Sequence, residues 1–309
     1  MIDNIEQNEN KVLGDGADYS KYPKQYDPTV LQRELRQNNR TYLGIDGSNL
    51  PFMGYDVWNC YEMTTLTKNG LPITGVLKIV YPALSKYIVE SKSLKIFAQS
   101  WFGTYGREKD PNPVRFETVE IIKKDLSELL ETEVEVKWFS IEEIVKQKIL
   151  NDFLNYEVLE NIDPTSLSKL KITEYNENSE ILVEKSNYTP FKTNIIKVSS
   201  SLLKSNCRVT GQPDEGDIFI YMESNFEVSK EQLLKYIISF RNENHFHEEI
   251  VECVYKRLYD LFKPTKLLCT ALYCRRGGID INPVRTNDIS LLPENLINPN
   301  YLYPKTIRQ

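Results

Sequence analysis

With 309 residues, of which 40% are hydrophobic and 27% charged, the chain is long enough for one large domain or two small ones around real cores. Its formal net charge of -6 argues against a nucleic-acid surface, because phosphate binding needs a basic face. No apolar stretch approaches the roughly 20 residues of a membrane helix, and Met1 to Asn10 lacks the basic and apolar parts of a signal peptide, so a cytoplasmic location is expected.

Residues 1 to 44 read as an irregular arm in which Gly14, Gly16, Pro23 and Pro28 break any long period, while Tyr19, Tyr26 and Tyr42 offer pins to a surface. From Leu50 the pattern turns strand-rich. Val57 to Leu66 and Leu71 to Tyr81 flank Lys68-Asn69-Gly70, and Asn-Gly between apolar runs predicts a hairpin. Phe116, Val119, Ile122, Leu126 and Leu130 recur at helical spacing, and Val134, Val136 and Trp138 alternate as a half-buried strand does. Ser140 with Glu143 predicts a capping box for a helix running through Leu154, with Ile141, Ile144, Val145 and Ile149 on its apolar face.

The chain is polar between about 155 and 180, which divides it into the arm (1–44), a first module (45–175) and a second (176–309). The second repeats the order of the first: strands to Met222, helix from Ser229 to Phe262, strand from Lys266 to Tyr273. Ser229 and Gln232 predict another capping box, and Ile250, Val254, Leu258 and Phe262 an apolar stripe. The class is therefore α+β, with antiparallel sheets backed by helices.

Of five cysteines, Cys60, Cys207, Cys253, Cys269 and Cys274, none forms a Cys-x-x-Cys pair, which fits reduced thiols. His245 and His247 are the only histidines, so a zinc site has little support. Ser205 to Asp217 places the Cys207 thiol and the Asp214 carboxylate on either side of a Gly-Gln-Pro turn, just ahead of a strand. A free thiol, with a pKa of roughly 8.5, needs a neighbour to favour ionisation or take its proton, and Asp214 is offered for that role. Taken alone, the pair also suits a core cysteine beside a turn aspartate. Tyr87 to Phe97 sets Lys92 and Lys95 beside Glu90, a pattern that an ordinary solvated helix or strand edge shares. Likewise, His247 suits a helix cap, and Arg275-Arg276-Gly277-Gly278 suits a basic turn.

These segments together, Leu202 to Thr210 with Gln212-Pro213-Asp214, Glu90 to Phe97, Phe246-His247-Glu248 and Tyr273 to Pro283, resemble the 7-cyano-7-deazaguanine reductases, the nitrile reductases of queuosine biosynthesis, in their two-module branch. The resemblance implies two fused tunnelling-fold modules, a homodimer, and NADPH as cofactor. Cys207 would add to the nitrile as a thioimidate, Asp214 would handle protons, and His247 would serve as a second acid. Glu90, Phe246 and Glu248 would hold the deazaguanine, the phenyl ring by stacking and the carboxylates by accepting from ring N–H and amino groups. Ser91, Lys92, Ser93, Lys95, Arg275, Arg276 and Gly277 would serve the cofactor, since the extra phosphate of NADPH calls for cationic donors.

A small-molecule substrate follows, with no direct contact to nucleic acid or membrane. The chain departs from the family pattern at Glu34-Leu35-Arg36 (Ile-Pro-Arg), Glu215 and Val284 (both Trp) and His245 (Glu). An amidine-forming relative using the same thioimidate, a non-catalytic deazapurine-binding module, and a metal-dependent pterin cyclohydrolase are the rival readings. The Glu-Ser-Lys-Ser segment at Glu90 to Ser93, the Cys207, Asp214 and His247 set and the weak metal signal weigh against them in turn.

Overall fold

The computed structural model describes residues 22–184, 193–306 and 308–309; Leu13, Gly14, Gly16 and Tyr19 of the arm lie outside them. The arm carries β1 (Arg33–Leu35) and α1 (Gln37–Tyr42), more regular structure than its glycines and prolines suggest. Arg36 and Arg40 stand four apart, on one side of this turn of helix, and both are buried. Arg36 pairs with Asp56, while Arg40 holds Glu252 through two hydrogen bonds of 3.0 and 2.8 Å. Tyr26 packs against Phe97 and Trp101 and donates to Asp125, whereas Tyr42 is exposed and pins nothing.

The hairpin follows as β2 (Met53–Leu66) and β3 (Pro72–Pro82), with Gly70 at φ +83° supplying the left-handed residue its turn needs. β4 (Tyr87–Val89) pairs antiparallel with β1 and leads directly into α2 (Ser91–Ser100). The arm also sets where α2 begins: Glu90 N–H donates to the Gln32 carbonyl, and Gln32 N–H donates to Ser93 Oγ. α3 (Pro111–Leu130) buries Val114, Thr118, Ile122, Leu126 and Leu130. Phe116, expected on that face, is exposed.

β5 (Glu135–Phe139) precedes α4 (Ile141–Lys146), whose capping box forms with both hydrogen bonds. This helix stops eight residues short of Leu154 and buries none of its residues, so the expected apolar face has no core to cover. β6 (Glu157–Val158) and α5 (Pro164–Lys169) lead to the second hairpin, β7 (Asn194–Cys207) and β8 (Pro213–Ser224). The helical run expected from Ser229 to Phe262 divides into α6 (Lys230–Ile238) and α7 (His247–Phe262), separated by a 3-10 turn and the short β9 (Asn244–His245). β10 (Lys266–Tyr273), β11 (Ile279–Thr286) and α8 (Glu294–Ile297) complete the chain.

One sheet runs β5-β3-β2-β11-β10-β8-β7-β6, with β9 beside β7; only the pairs of β7 with β6 and β9 are parallel. The two hairpins repeat one another down to a register shift at Cys60/Met63 in one and Ser200/Leu203 in the other. The first joins the rest of the sheet where β2 pairs with β11, and the second where β8 pairs with β10. Each half has its own core against its helices, one around Trp58, Phe97 and Ile122 and the other around Leu234, Val254 and Phe262. On the opposite face, Phe153, Leu296 and Tyr303 cover Val57, Phe219 and Leu268. The observed class is α+β, antiparallel sheet backed by helices. Among the described residues, no helix is long and apolar enough to cross a membrane.

Candidate active site

Cys207 is the last residue of β7, and the chain turns immediately beyond it. Its N–H donates to the Gln212 carbonyl at 2.7 Å, and its carbonyl accepts from Gly211 at 2.8 Å, with Gly211 at φ +68°. This loop returns the chain so that Asp214 enters β8 opposite Ser205. Asp214 is 4% exposed. β9 lies parallel to β7, with His245 the register partner of Cys207, and so places the first residues of α7 beside the thiol. The β10–β11 loop brings Cys274, Arg276 and Gly277 from the next hairpin, and α2 brings Ser91, Lys92 and Lys95 from the other half of the sheet. These side chains, with Thr210, Gln212, His247 and Ile281, line a cavity of about 310 Å³.

The thiol's cationic partner is Lys92, whose Nζ lies 3.2 Å from Sγ. Burial acts to raise the pKa of Cys207, but hydrogen bonds from the Thr210 side chain, the N–H groups of Thr210 and Val209, and Lys92 outweigh it and hold the thiol below its ordinary value. Asp214 faces Arg276, with Nε to Oδ1 at 3.0 Å, and His247, with Nε2 to Oδ1 at 3.8 Å. Desolvation pushes the Asp214 carboxyl up, against the pull of Arg276, Lys92 and Lys204. The His247 ring sits edge-on to Tyr273, centroids 4.1 Å apart. Burial first, then the fields of Arg276 and Lys92, drive its pKa down to about 3, so the imidazole is neutral at pH 7. The arrangement is a thiol held below its ordinary pKa, a desolvated carboxyl beside Arg276, a neutral imidazole, and three cations in one cavity.

Residues 22–138 match the family model described as nitrile reductase, 7-cyano-7-deazaguanine-reductase N-term, and residues 213–290 match that of the QueF-like protein. The NADPH-dependent 7-cyano-7-deazaguanine reductase of Cupriavidus taiwanensis is 36% identical over 281 residues, which cover 90% of this chain and 95% of that one. The chain belongs to the 7-cyano-7-deazaguanine reductase family. The reductase of Hydrogenovibrio crunogenus is 37% identical over 270 residues, covering 86% and 89% respectively. Among solved structures, the archaeosine synthase QueF-Like in the apo form aligns with 31% of this chain and 95% of its own at 16% identity and a TM-score of 0.28, too slight a likeness to bear on the fold.

Of the residues that the reductase resemblance singles out, Ser91, Lys92, Lys95, Cys207, Asp214, His247, Arg276 and Gly277 share the cavity wall. Others stand behind it. Glu90 caps α2, its carboxylate accepting from the N–H groups of Lys92 and Ser93 at 3.1 and 2.7 Å. The Ser93 hydroxyl donates to the Glu90 carbonyl at 2.7 Å. Phe246 is buried just before α7 and lies beneath the Arg208 guanidinium. Arg275 turns aside to lie 3.8 Å over the Tyr61 ring.

Glu248 is 3% exposed, and its Oε1 has no hydrogen-bond partner; the Tyr273 hydroxyl is also buried without one. Desolvation, then repulsion from Asp56, raises the Glu248 carboxyl to about 8. His245, whose role the sequence left open, is braced between Glu249 and Glu243 at 3.2 and 3.3 Å.

Beneath Glu248 lies a group that sequence reasoning missed. The Arg285 guanidinium is fully buried, 2.8 Å from Asp56 and 3.0 Å from Glu252, and Arg36 and Arg40 join the same cluster from the arm. Arg40 and Glu252 are 212 residues apart, so no local spacing could announce them. The only sequence signal is the i, i+4 spacing of the two arm arginines.

Proposed function

We propose that this chain reduces the nitrile of 7-cyano-7-deazaguanine to the aminomethyl group of 7-aminomethyl-7-deazaguanine, with NADPH as reductant, as a step of queuosine biosynthesis. The observation that carries this is the Cys207 sulfur held beside Lys92 in the cavity that Asp214, His247 and Arg276 also line. The residues present suit an anionic dinucleotide. Lys92, Lys95 and Arg276 supply point and forked charges, and the loop at Gly277 lies so close to α2 that a Cβ there would meet Lys95 Nζ at 2.0 Å. NADPH, when bound, would supply one hydride, and two molecules bound in turn would supply the two that a nitrile needs to become an amine.

The chain's own part begins with Cys207. Its sulfur lone pair forms the C–S bond as one π pair of the nitrile moves to nitrogen, and a proton held on the Asp214 carboxyl completes the thioimidate N–H. The covalent bond keeps the half-reduced carbon in place between reductions. Later the C–S bond breaks with its electron pair returning to sulfur, a departure that the neighbouring ammonium eases. Neutral His247, 3.8 Å from Asp214, relays a proton only by taking another. Glu248 and Tyr273 present buried polar atoms without partners, the kind of group a flat base rich in N–H donors and acceptors would satisfy. Glu90 and Phe246 belong to the same recognition side in this reading, and Ser91, Ser93 and Arg275 to the cofactor side. The reading also takes residues 1–44 as an arm, 45–175 and 176–309 as the two modules, and the enzyme as a cytoplasmic homodimer acting on the free base.

Incubation with the nitrile base and NADPH, followed by product mass, tests the proposal. Cys207→Ala should lose both the covalent adduct and turnover while keeping its circular dichroism spectrum. NADPH consumption by Cys207→Ala in the presence of substrate would overturn it.

A further inference from the structure

Lys92 occupies an uncomfortable place for a cation. It is the second residue of α2, where the positive end of the helix disfavours it, and the helix start is satisfied without it by the Glu90 carboxylate. A lysine there gains nothing from the helix. Its amine instead crosses to the other half of the sheet and donates to Cys207 Sγ at 3.2 Å, 115 residues away in sequence. Lys95, one turn further along α2, does something else: its amine lies against the Gly277 loop. Two lysines from one helix in one cavity thus have different contacts.

We propose that Lys92 is a positioning residue for the nucleophile, keeping Cys207 as a thiolate in the free enzyme before either ligand arrives. The thiol proton leaves to solvent and the Lys92 ammonium stabilises the thiolate that remains, with no call on Asp214, which lies 3.0 Å from Arg276. The titratable and charged groups that line the cavity with Cys207 are Tyr22 from the arm, Lys92 and Lys95 from α2, Asp214 from β8, His247 from α7, and Cys274 and Arg276 from the β10–β11 loop. Among them Lys92 is the cation in hydrogen-bond contact with sulfur. Once sulfur is bonded to carbon it is neutral, and the amine is released from it. A cation that partners the thiolate first and a cofactor phosphate afterwards would make adduct formation favour dinucleotide binding. This last consequence rests on the reductase reading; the thiolate assignment does not.

The test is the pH dependence of Cys207 alkylation by iodoacetamide, with no nitrile or dinucleotide present and the modified peptide identified by mass. An opposite charge at this range lowers an acid's pKa by about one unit or more, so Lys92→Met should raise the apparent pKa by about one unit and slow alkylation by about tenfold at pH values below the thiol pKa of both proteins. Lys92→Arg should restore most of the rate. Lys95→Met, from the same helix and cavity, should leave the profile in place while weakening NADP+ binding.

An unshifted profile in a folded Lys92→Met protein would overturn the proposal. So would an equal shift in Lys95→Met, which would assign the effect to the cavity's charge as a whole. Should the unmodified protein fail to turn over nitrile with NADPH while the Lys92→Met shift is present, the thiolate assignment stands and the reductase reading falls.

Discussion

Replacing Glu248 by glutamine keeps a neutral side chain of the same shape and removes one titration. In the unfolded chain this carboxyl ionises above its ordinary value of 4.5; in the folded chain desolvation and Asp56 hold it protonated to about 8. Between those values the unfolded state releases a proton that the folded state keeps, so wild-type stability falls as pH rises, by about 1.4 kcal/mol per unit. From pH 5 to 7 the wild type should lose about 3 kcal/mol relative to Glu248→Gln, or roughly 4–5 °C in Tm for a chain of this size. Thermal unfolding of both proteins at pH 5, 6 and 7, without ligands, reads this directly. The two should nearly coincide at pH 5, with the variant more stable at pH 7. A gap that does not grow with pH would mean that Glu248 ionises normally inside the fold, and its unpartnered Oε1 would then mark no demand for a ligand. The same variant should bind the deazaguanine more weakly, since an amide presents a donor where the carboxyl, once ionised, offers only acceptors.

Arg285→Met should cost about 3–5 kcal/mol in urea unfolding, because it strips a fully buried guanidinium from Asp56 and Glu252 and leaves Arg36 and Arg40 to balance them alone. Gly277→Ala places a methyl where Lys95 Nζ now lies, at a φ of +56° that L residues resist. NADP+ affinity measured by calorimetry should fall about tenfold while Cys207 alkylation is unchanged, since a shift of about 1.4 kcal/mol is one decade.

How much of the fold could be read ahead depends on how local its causes are. β2, β3 and β10 were legible because their apolar runs and the Asn69-Gly70 turn carry their own instructions. The rotation of α3 was not. Phe116 fits the spacing but is exposed, and Val114 and Thr118 face the sheet instead, because the helix's roll is decided by what it packs on. α4 kept its Ser140 cap and lost its length, since Val145 has nothing beneath it. β11 is the clearest case. Its polar residues and Pro283 argue against a central strand, yet it lies between β2 and β10 with every residue buried. Asp280 is satisfied there by Asn59, Tyr61 and Lys305, and Arg285 by Asp56 and Glu252, partners that only the folded chain assembles.

The site divides along the same line. The thiol, the carboxyl and the imidazole sit in short segments whose residue types announce chemistry. What sequence could not supply was the pairing among them. Reading along the chain, Asp214 is the natural neighbour of Cys207, seven positions away; in space Asp214 belongs to Arg276, and the sulfur belongs to Lys92. That exchange of partners follows from the seam between the two halves of the sheet. β7 ends in the second half and α2 begins in the first, and the β2–β11 ladder holds their tips across one cavity. The arm fixes α2 from the other side, through Gln32 and the β1–β4 pair. Neither half of the sheet therefore carries the Cys207 sulfur together with the Lys92 amine, and their contact exists only where the two halves are joined.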